Sequence, residues 1–213
     1  METLRKLRDQ IITIKQPARA ELVIKKSRFI ASVASVVHEP QATSFIKQVK
    51  QEHSQANHNV YAYLIDEQKQ KYSDDGEPGG TAGKPILDTI KNKGLSGLAI
   101  VVTRYFGGIL LGTGGLVRAY TDAALAVIET AGICEKLLHQ ELKLTLAYHW
   151  LGLIKHEIEN SGGRQIKIKY GEQVQLQAYF RPAALEEVMT VLMEKTGAQI
   201  ILEKGSFAYL NNS

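Results

Sequence analysis

Apolar positions along the chain change period several times, and each change marks an element. Ala20, Leu22 and Ile24 alternate with polar neighbours, Lys25-Lys26-Ser27 interrupts, and Phe29, Ala31 and Val33 resume the alternation. Two strands joined by a tight basic turn give that pattern. Pro40 stands where a first helical turn tolerates it, and Ala42, Phe45, Ile46 and Val49 follow at helical spacing. Val60 to Ile65 reads as a short strand, and 67–85 as loop. A helix from about Ile86 to Lys93 ends at Gly94. Leu98 to Thr103 is a continuous apolar, β-branched run, the mark of a strand buried on both faces. Leu116, Tyr120, Ala123, Ala124 and Val127 then predict a helix to about Ala131, stopped by Gly132.

From Leu137 the pattern becomes regular. Glu141 to Ala147 alternates as a strand; Trp150, Leu151, Ile154 and Ile158 form a helical stripe stopped by Gly162-Gly163. Arg164 to Tyr170 and Val174 to Phe180 make a hairpin, Pro182 opens a helix carrying Leu185, Val188, Met189 and Leu192, and Gln199 to Phe207 closes as a strand. The order βαββαβ is the ferredoxin-like signature. The chain is therefore read as α+β with two domains, 1–135 and 136–213. The apolar group Ile11, Ile12 and Ile14 behind Arg5, Lys6 and Arg8 is too short for a secretory core, and no run approaches the ~20 residues of a membrane helix. The expectation is a cytoplasmic protein with no membrane partner.

Composition is that of an ordinary globular chain, 44% hydrophobic and 23% charged over 213 residues. The net charge of +4 is uneven. Residues 1–50 hold ten Lys/Arg against four Asp/Glu, 51–100 hold five against seven, and the remainder balances. A basic N-terminal third suits a polyanion such as RNA, or is simply a solvated face. Cys134 is alone, so no disulfide framework or Cys-x-x-Cys pair is available.

Two loops concentrate the candidate chemistry. The first, Ser73 to Pro85, packs Asp74, Asp75 and Glu77 among Gly76, Gly79, Gly80 and Gly83, with Thr81 and Lys84. Its carboxylates suit a hard cation or a general base, with His58 as a nearby acid/base. The bland alternative is turn-making through Asp side chains and glycine. The spacing is not that of an EF-hand, and no His-x-x-x-His is present, so neither a metal nor a cofactor is assigned. The second loop, Gly107 to Gly115, joins a buried strand to a helix. Gly107, Gly108, Gly112, Gly114 and Gly115 let backbone N–H groups approach an anion at the helix N-terminus. It carries neither a Walker A sequence nor a G-x-G-x-x-G fingerprint. Arg104 before it and Arg118 behind it would flank a phosphate, with Lys25, Lys26 and Arg28 of the basic turn adding charge. The alternative is that the two arginines pair internally with Asp75 or Asp122. Ser27 lacks a nucleophile-elbow context.

Lys26-Ser27-Arg28-Phe29-Ile30-Ala31, the whole of Ser73 to Pro85, and Val101-Val102-Thr103-Arg104-Tyr105-Phe106-Gly107-Gly108 through Tyr120 closely resemble the IMPACT/YigZ family. The similarity runs over essentially the whole chain. Two departures stand out: Asn59-Val60 replaces a Cys often found after the histidine of that segment, and Leu110 stands where the family's loop commonly has Lys. The resemblance implies a first domain with the fold of a ribosomal-protein domain also seen in domain IV of elongation factor G, with a left-handed βαβ crossover, followed by a ferredoxin-like domain. It also implies a link to translation control, with RNA or the ribosome as partner class and a protein partner in that control. Eukaryotic members restrain a stress-activated kinase with the help of an N-terminal domain that this chain lacks. The expected function is thus a non-enzymatic RNA- or ribosome-associated binding protein. The alternative is a small-ligand hydrolase or phosphotransferase using Asp74, Asp75 and Glu77.

Overall fold

A computed structural model describes residues 8–211. The chain divides into two compact units: one is Ile11–Lys136, and the other is Leu137 onward together with the described residues up to Gln10.

The first unit holds a sheet ordered β2–β3–β6–β4–β5, formed by Ala18–Ile24, Ser27–Ser35, Leu98–Tyr105, His58–Leu64 and Gln70–Ser73. Every neighbouring pair is antiparallel. Strands β3 and β4 both flank β6 and so run parallel to each other. They are linked through α1 (Glu39–Glu52), a βαβ crossover split by an antiparallel strand. The apolar run of β6 is explained by burial on both faces. Leu98, Ile100 and Val102 join a core with α2 (Gly83–Asn92) and α3 (Thr113–Ala131), while Ala99 and Val101 pack with Ala42, Ile46 and Val49 of α1. At the start of α1 the His38 ring accepts the Gln41 N–H, and the Gln41 side chain accepts the Val37 N–H, a reciprocal cap ahead of Pro40.

The second unit is βαββαβ: β7 (Ile133–Leu146), a 3₁₀ turn Tyr148–Trp150, α4 (Leu151–Asn160), β8 (Arg164–Lys169), β9 (Val174–Phe180), α5 (Pro182–Lys195) and β10 (Ile201–Asn211). The sheet runs β7–β9–β8, with β10 also on β7, which puts the first and third strands of the motif in the middle. Leu142, Leu144, Leu146, Leu176 and Phe180 meet Ile154, Ile158, Leu185, Val188 and Leu192 of the helices in a separate core.

Several boundaries differ from the sequence reading. Gln10–Ile14 is a strand, β1, laid along β7: Lys15 N–H donates to the Gly132 carbonyl, and Leu138 N–H to that of Asp9. Strand β7 begins at Ile133, so 134–136 lie inside a strand, where apolar residues such as Leu138 face inward. The span 67–85 is not all loop. It contains the polar edge strand β5 and the first residues of α2, which starts three residues earlier than the apolar stripe indicates. No described helix is long and apolar enough to cross a membrane.

Candidate functional site

The loop leading into α3 is fixed by the hairpin between β2 and β3. Lys25 and Lys26 form a two-residue turn with φ of 45° and 65°, the left-handed region that normally selects Asn-Gly. Gly107 packs on that turn so closely that a Cβ there would lie 2.0 Å from the Lys26 carbonyl carbon. Its N–H donates to Ser27 Oγ at 3.1 Å. The basic turn and the loop leading into α3 are therefore fixed against each other, with Lys25, Lys26, Arg28, Gly108, Gly112, Gly114 and Arg118 all exposed and Gly115 half-buried. The first turn of α3 has neither a side-chain cap nor an acidic residue, and its N-cap Gly112 takes φ of 74°. Thr113 and Gly114, the exposed residues that open it, stand at the positive end of a five-turn helix.

Arg104 lies beneath this surface, only 5% exposed. Its Nη1 pairs with Glu77 Oε1 at 2.7 Å, and its guanidinium lies between the Phe29 and Phe106 rings at 5.4 and 5.5 Å. Its Nε is buried without a hydrogen-bond partner. The internal partner of Arg104 is thus Glu77 and not Asp75. The hydroxyl of Tyr120, reaching in from α3, donates to the same Glu77 oxygen at 2.7 Å. Burial and the adjacent Glu77 carboxylate push the Tyr120 hydroxyl far above its ordinary range, so it remains a donor at every physiological pH.

The three carboxylates of the acidic loop have separate partners. Asp74 accepts N–H groups from Gly80 (2.8 Å), Ala82 (3.1 Å) and Gly83 (2.8 Å), closing the loop and capping α2 from outside the helix. Asp75, at φ of 46°, binds Lys50 Nζ at 2.6 Å and accepts the Asn59 N–H at 2.7 Å. Burial alone would raise its carboxyl; those two donors outweigh it and hold the group below the usual range. Thr81 is buried and donates to the Pro78 carbonyl at 2.6 Å. Gly83 starts α2 directly on β5, where a Cβ would meet Ser73 O at 2.6 Å. Among the described residues no cluster of three His, Cys, Asp or Glu is arranged to hold a metal.

His58 is held against the acidic loop. Its Nδ1 lies 2.9 Å from the Asp75 carbonyl, which can only accept, so the ring carries its proton on Nδ1. That leaves Nε2 4.0 Å from Glu77 Oε2. His58, Glu77 and Arg104 form the polar side of a cleft of about 440 Å³ whose other side is Phe106, Leu111 and Leu116, with Gly112 and Thr113 of α3 at its margin. The size suits a single small ligand or one nucleotide unit. Leu110, 82% exposed, also lines it. Sequence reading named the charged residues of this cleft but not Tyr120 as a polar partner, nor the apolar wall; Tyr120 sits in an apolar helical stripe that signals only core.

Residues 25–128 match the family described as the Impact N-terminal domain, and 144–199 match a domain of unknown function, DUF1949. The IMPACT family member YvyE of Bacillus subtilis is 37% identical over 203 residues, covering 94% of each chain. The IMPACT family member YigZ of Escherichia coli is 37% identical over 175 residues, 80% of this chain and 86% of its own. A crystal structure described as that of a hypothetical protein superposes with a TM-score of 0.65 at 34% identity, over 92% of this chain and 97% of the other.

Proposed function

Since this chain belongs to the IMPACT family, we propose that its first unit is a non-enzymatic module that binds RNA, or the ribosome through its RNA, in the control of translation in the cytoplasm. One observation carries the reading: the contact of Gly107 with Lys26 locks a pair of exposed lysines beside the uncapped N-terminus of α3. Helix N–H groups and flanking cations are the usual recognition chemistry for a phosphate oxygen. Arg118 would add charge from the second turn of the helix, whereas the charge of Arg104 is already met by Glu77 beneath the cleft. Leu110 at the loop tip gives an apolar contact where a lysine would give a charged one. The hydrolase or phosphotransferase alternative has less support, because Asp74 and Asp75 are spent on the loop's own N–H groups and on Lys50.

Co-sedimentation with ribosomes over a salt series tests the proposal. Affinity should fall steeply with salt as phosphate contacts release counterions. Arg118→Glu should weaken binding about tenfold and flatten the salt slope. A folded Arg118→Glu protein that sediments like the parent sinks the site, and no binding of the parent at low salt sinks the function.

A further inference from the structure

The sheet of the second unit is covered by helices on one face only. Leu142, Leu144 and Leu176 point to α4 and α5. The residues between them lie in register on the opposite face. Gln177 of β9 is paired with Lys143 of β7 on one side and Lys167 of β8 on the other, and Gln175 likewise with Thr145 and Lys169. The first row is a glutamine flanked by two lysines and the second a glutamine between a threonine and a lysine, and the rows are separated by about 7 Å along the strands.

A polar outer face is what an antiparallel sheet ordinarily shows to water. Three features set this one apart. It is concave, a cleft of about 470 Å³. Its three lysines meet one lining carboxylate, Glu203, and Lys143 also lies 3.9 Å from Glu141 two residues back on its own strand, so Lys167 and Lys169 carry most of the face's positive charge. And it runs, through Thr145, Lys169 and Gln175, into a second hollow that includes Tyr170. There Tyr170 stacks on Tyr148, with ring centroids 6.4 Å apart and planes at 20°. The pair is kept largely in solvent, 63% and 52% exposed, while the Tyr148 hydroxyl is anchored to the Gly171 carbonyl at 2.8 Å.

We propose that this face is a binding platform for single-stranded RNA. Lys143, Lys167 and Lys169 would take successive phosphates, Gln175 and Gln177 would offer hydrogen bonds to base edges or 2′-hydroxyls, and Tyr170 would stack a base. A four-stranded sheet with helices behind it and exposed aromatics in front is a recurrent way of holding unpaired RNA. The choice of RNA rests on the reading of the first unit; the platform itself rests on the other unit's residues.

The test is titration of the full chain against a short fluorescent single-stranded RNA of mixed sequence at several salt concentrations. The Lys143→Ala/Lys167→Ala/Lys169→Ala protein should lose at least about tenfold in affinity, and its slope of log K against log salt should shrink by about 2, at ~0.7 per phosphate. Tyr170→Ala should lose about tenfold, and Tyr170→Phe should restore it, since the ring and not the hydroxyl stacks. The platform is overturned if the triple variant melts like the parent and binds RNA equally well. It is also overturned if duplex RNA or DNA of the same sequence binds as tightly, or if a polyglutamate peptide displaces the RNA at equal charge, which would mark a protein-docking face. Arg118→Glu separates the two sites: a loss there with none in the triple variant leaves only the first unit's site, and the converse leaves only this platform.

Discussion

The ion pair of Arg104 and Glu77 sets the electrostatics of the first unit's cleft from below, with side chains 6% and 3% exposed. Removing one partner leaves the other charge buried, and Arg104→Met should destabilise by about 3–5 kcal/mol in a urea titration. Arg104→Met/Glu77→Leu should recover most of that loss; if it does not, the packing of Arg104 between Phe29 and Phe106 matters more than the pair. Asp75 predicts a pH dependence. Its folded carboxyl is held below its unfolded value by Lys50 and the Asn59 N–H, after burial is offset. The stability this supplies is complete above the unfolded carboxyl range near pH 4 and is lost as pH falls through the folded value. Asp75→Asn should therefore flatten the acid limb of a plot of urea midpoint against pH. The effect is small, because the Lys50 pair is partly exposed and screened by solvent. These residues were visible in the sequence as types but not as partners. Arg104 finds Glu77 across 27 positions, and Asp74 caps a helix that begins nine residues later. Local spacing carries no signal for either.

Elements with a clean period were legible: Pro40 and the apolar stripe of α1, the doubly buried β6, and the alternation of β8 and β9. Elements defined by a partner were not. Strand β5 is polar and lies at a sheet edge, and β1 is a strand only because β7 supplies its ladder. The turn between β2 and β3 is the element where sequence and backbone disagree most. Two lysines with positive φ cost about 1 kcal/mol or more each relative to residues suited to that region. Replacing Lys25-Lys26 with Asn-Gly should raise stability by about 1 kcal/mol, read as a higher denaturation midpoint, while weakening ribosome co-sedimentation. Gain in stability with undiminished binding would show that the lysines serve another purpose. Gly107 must stay unchanged in such an experiment, since the turn's backbone fills the space of its Cβ.

At the scale of the whole molecule, the family relationship was carried by long motifs around the first unit's loops, whereas the assignment of the described residues before Ile11 to the second unit was not readable from any motif. We expect the two cores to melt as two calorimetric transitions. Leu144→Ala, in the core of β7, β9 and the two later helices, should cost about 2–5 kcal/mol and move only one of them. A single transition displaced as a whole would show that the cores are thermodynamically inseparable.

The bond from Leu138 N–H to the Asp9 carbonyl, and those of Arg181 and Tyr209 to the carbonyls of Asp9 and Arg8, also have a consequence in time. A nascent chain emerges N-terminus first, and at ~5–20 residues per second the stretch between these partners takes on the order of ten seconds to make. Residues 11–136 can close their own core during that interval. Arg8 to Gln10, made before the first unit, must wait until after its last residue for Leu138 and longer still for Arg181 and Tyr209, so residues made early complete their contacts late.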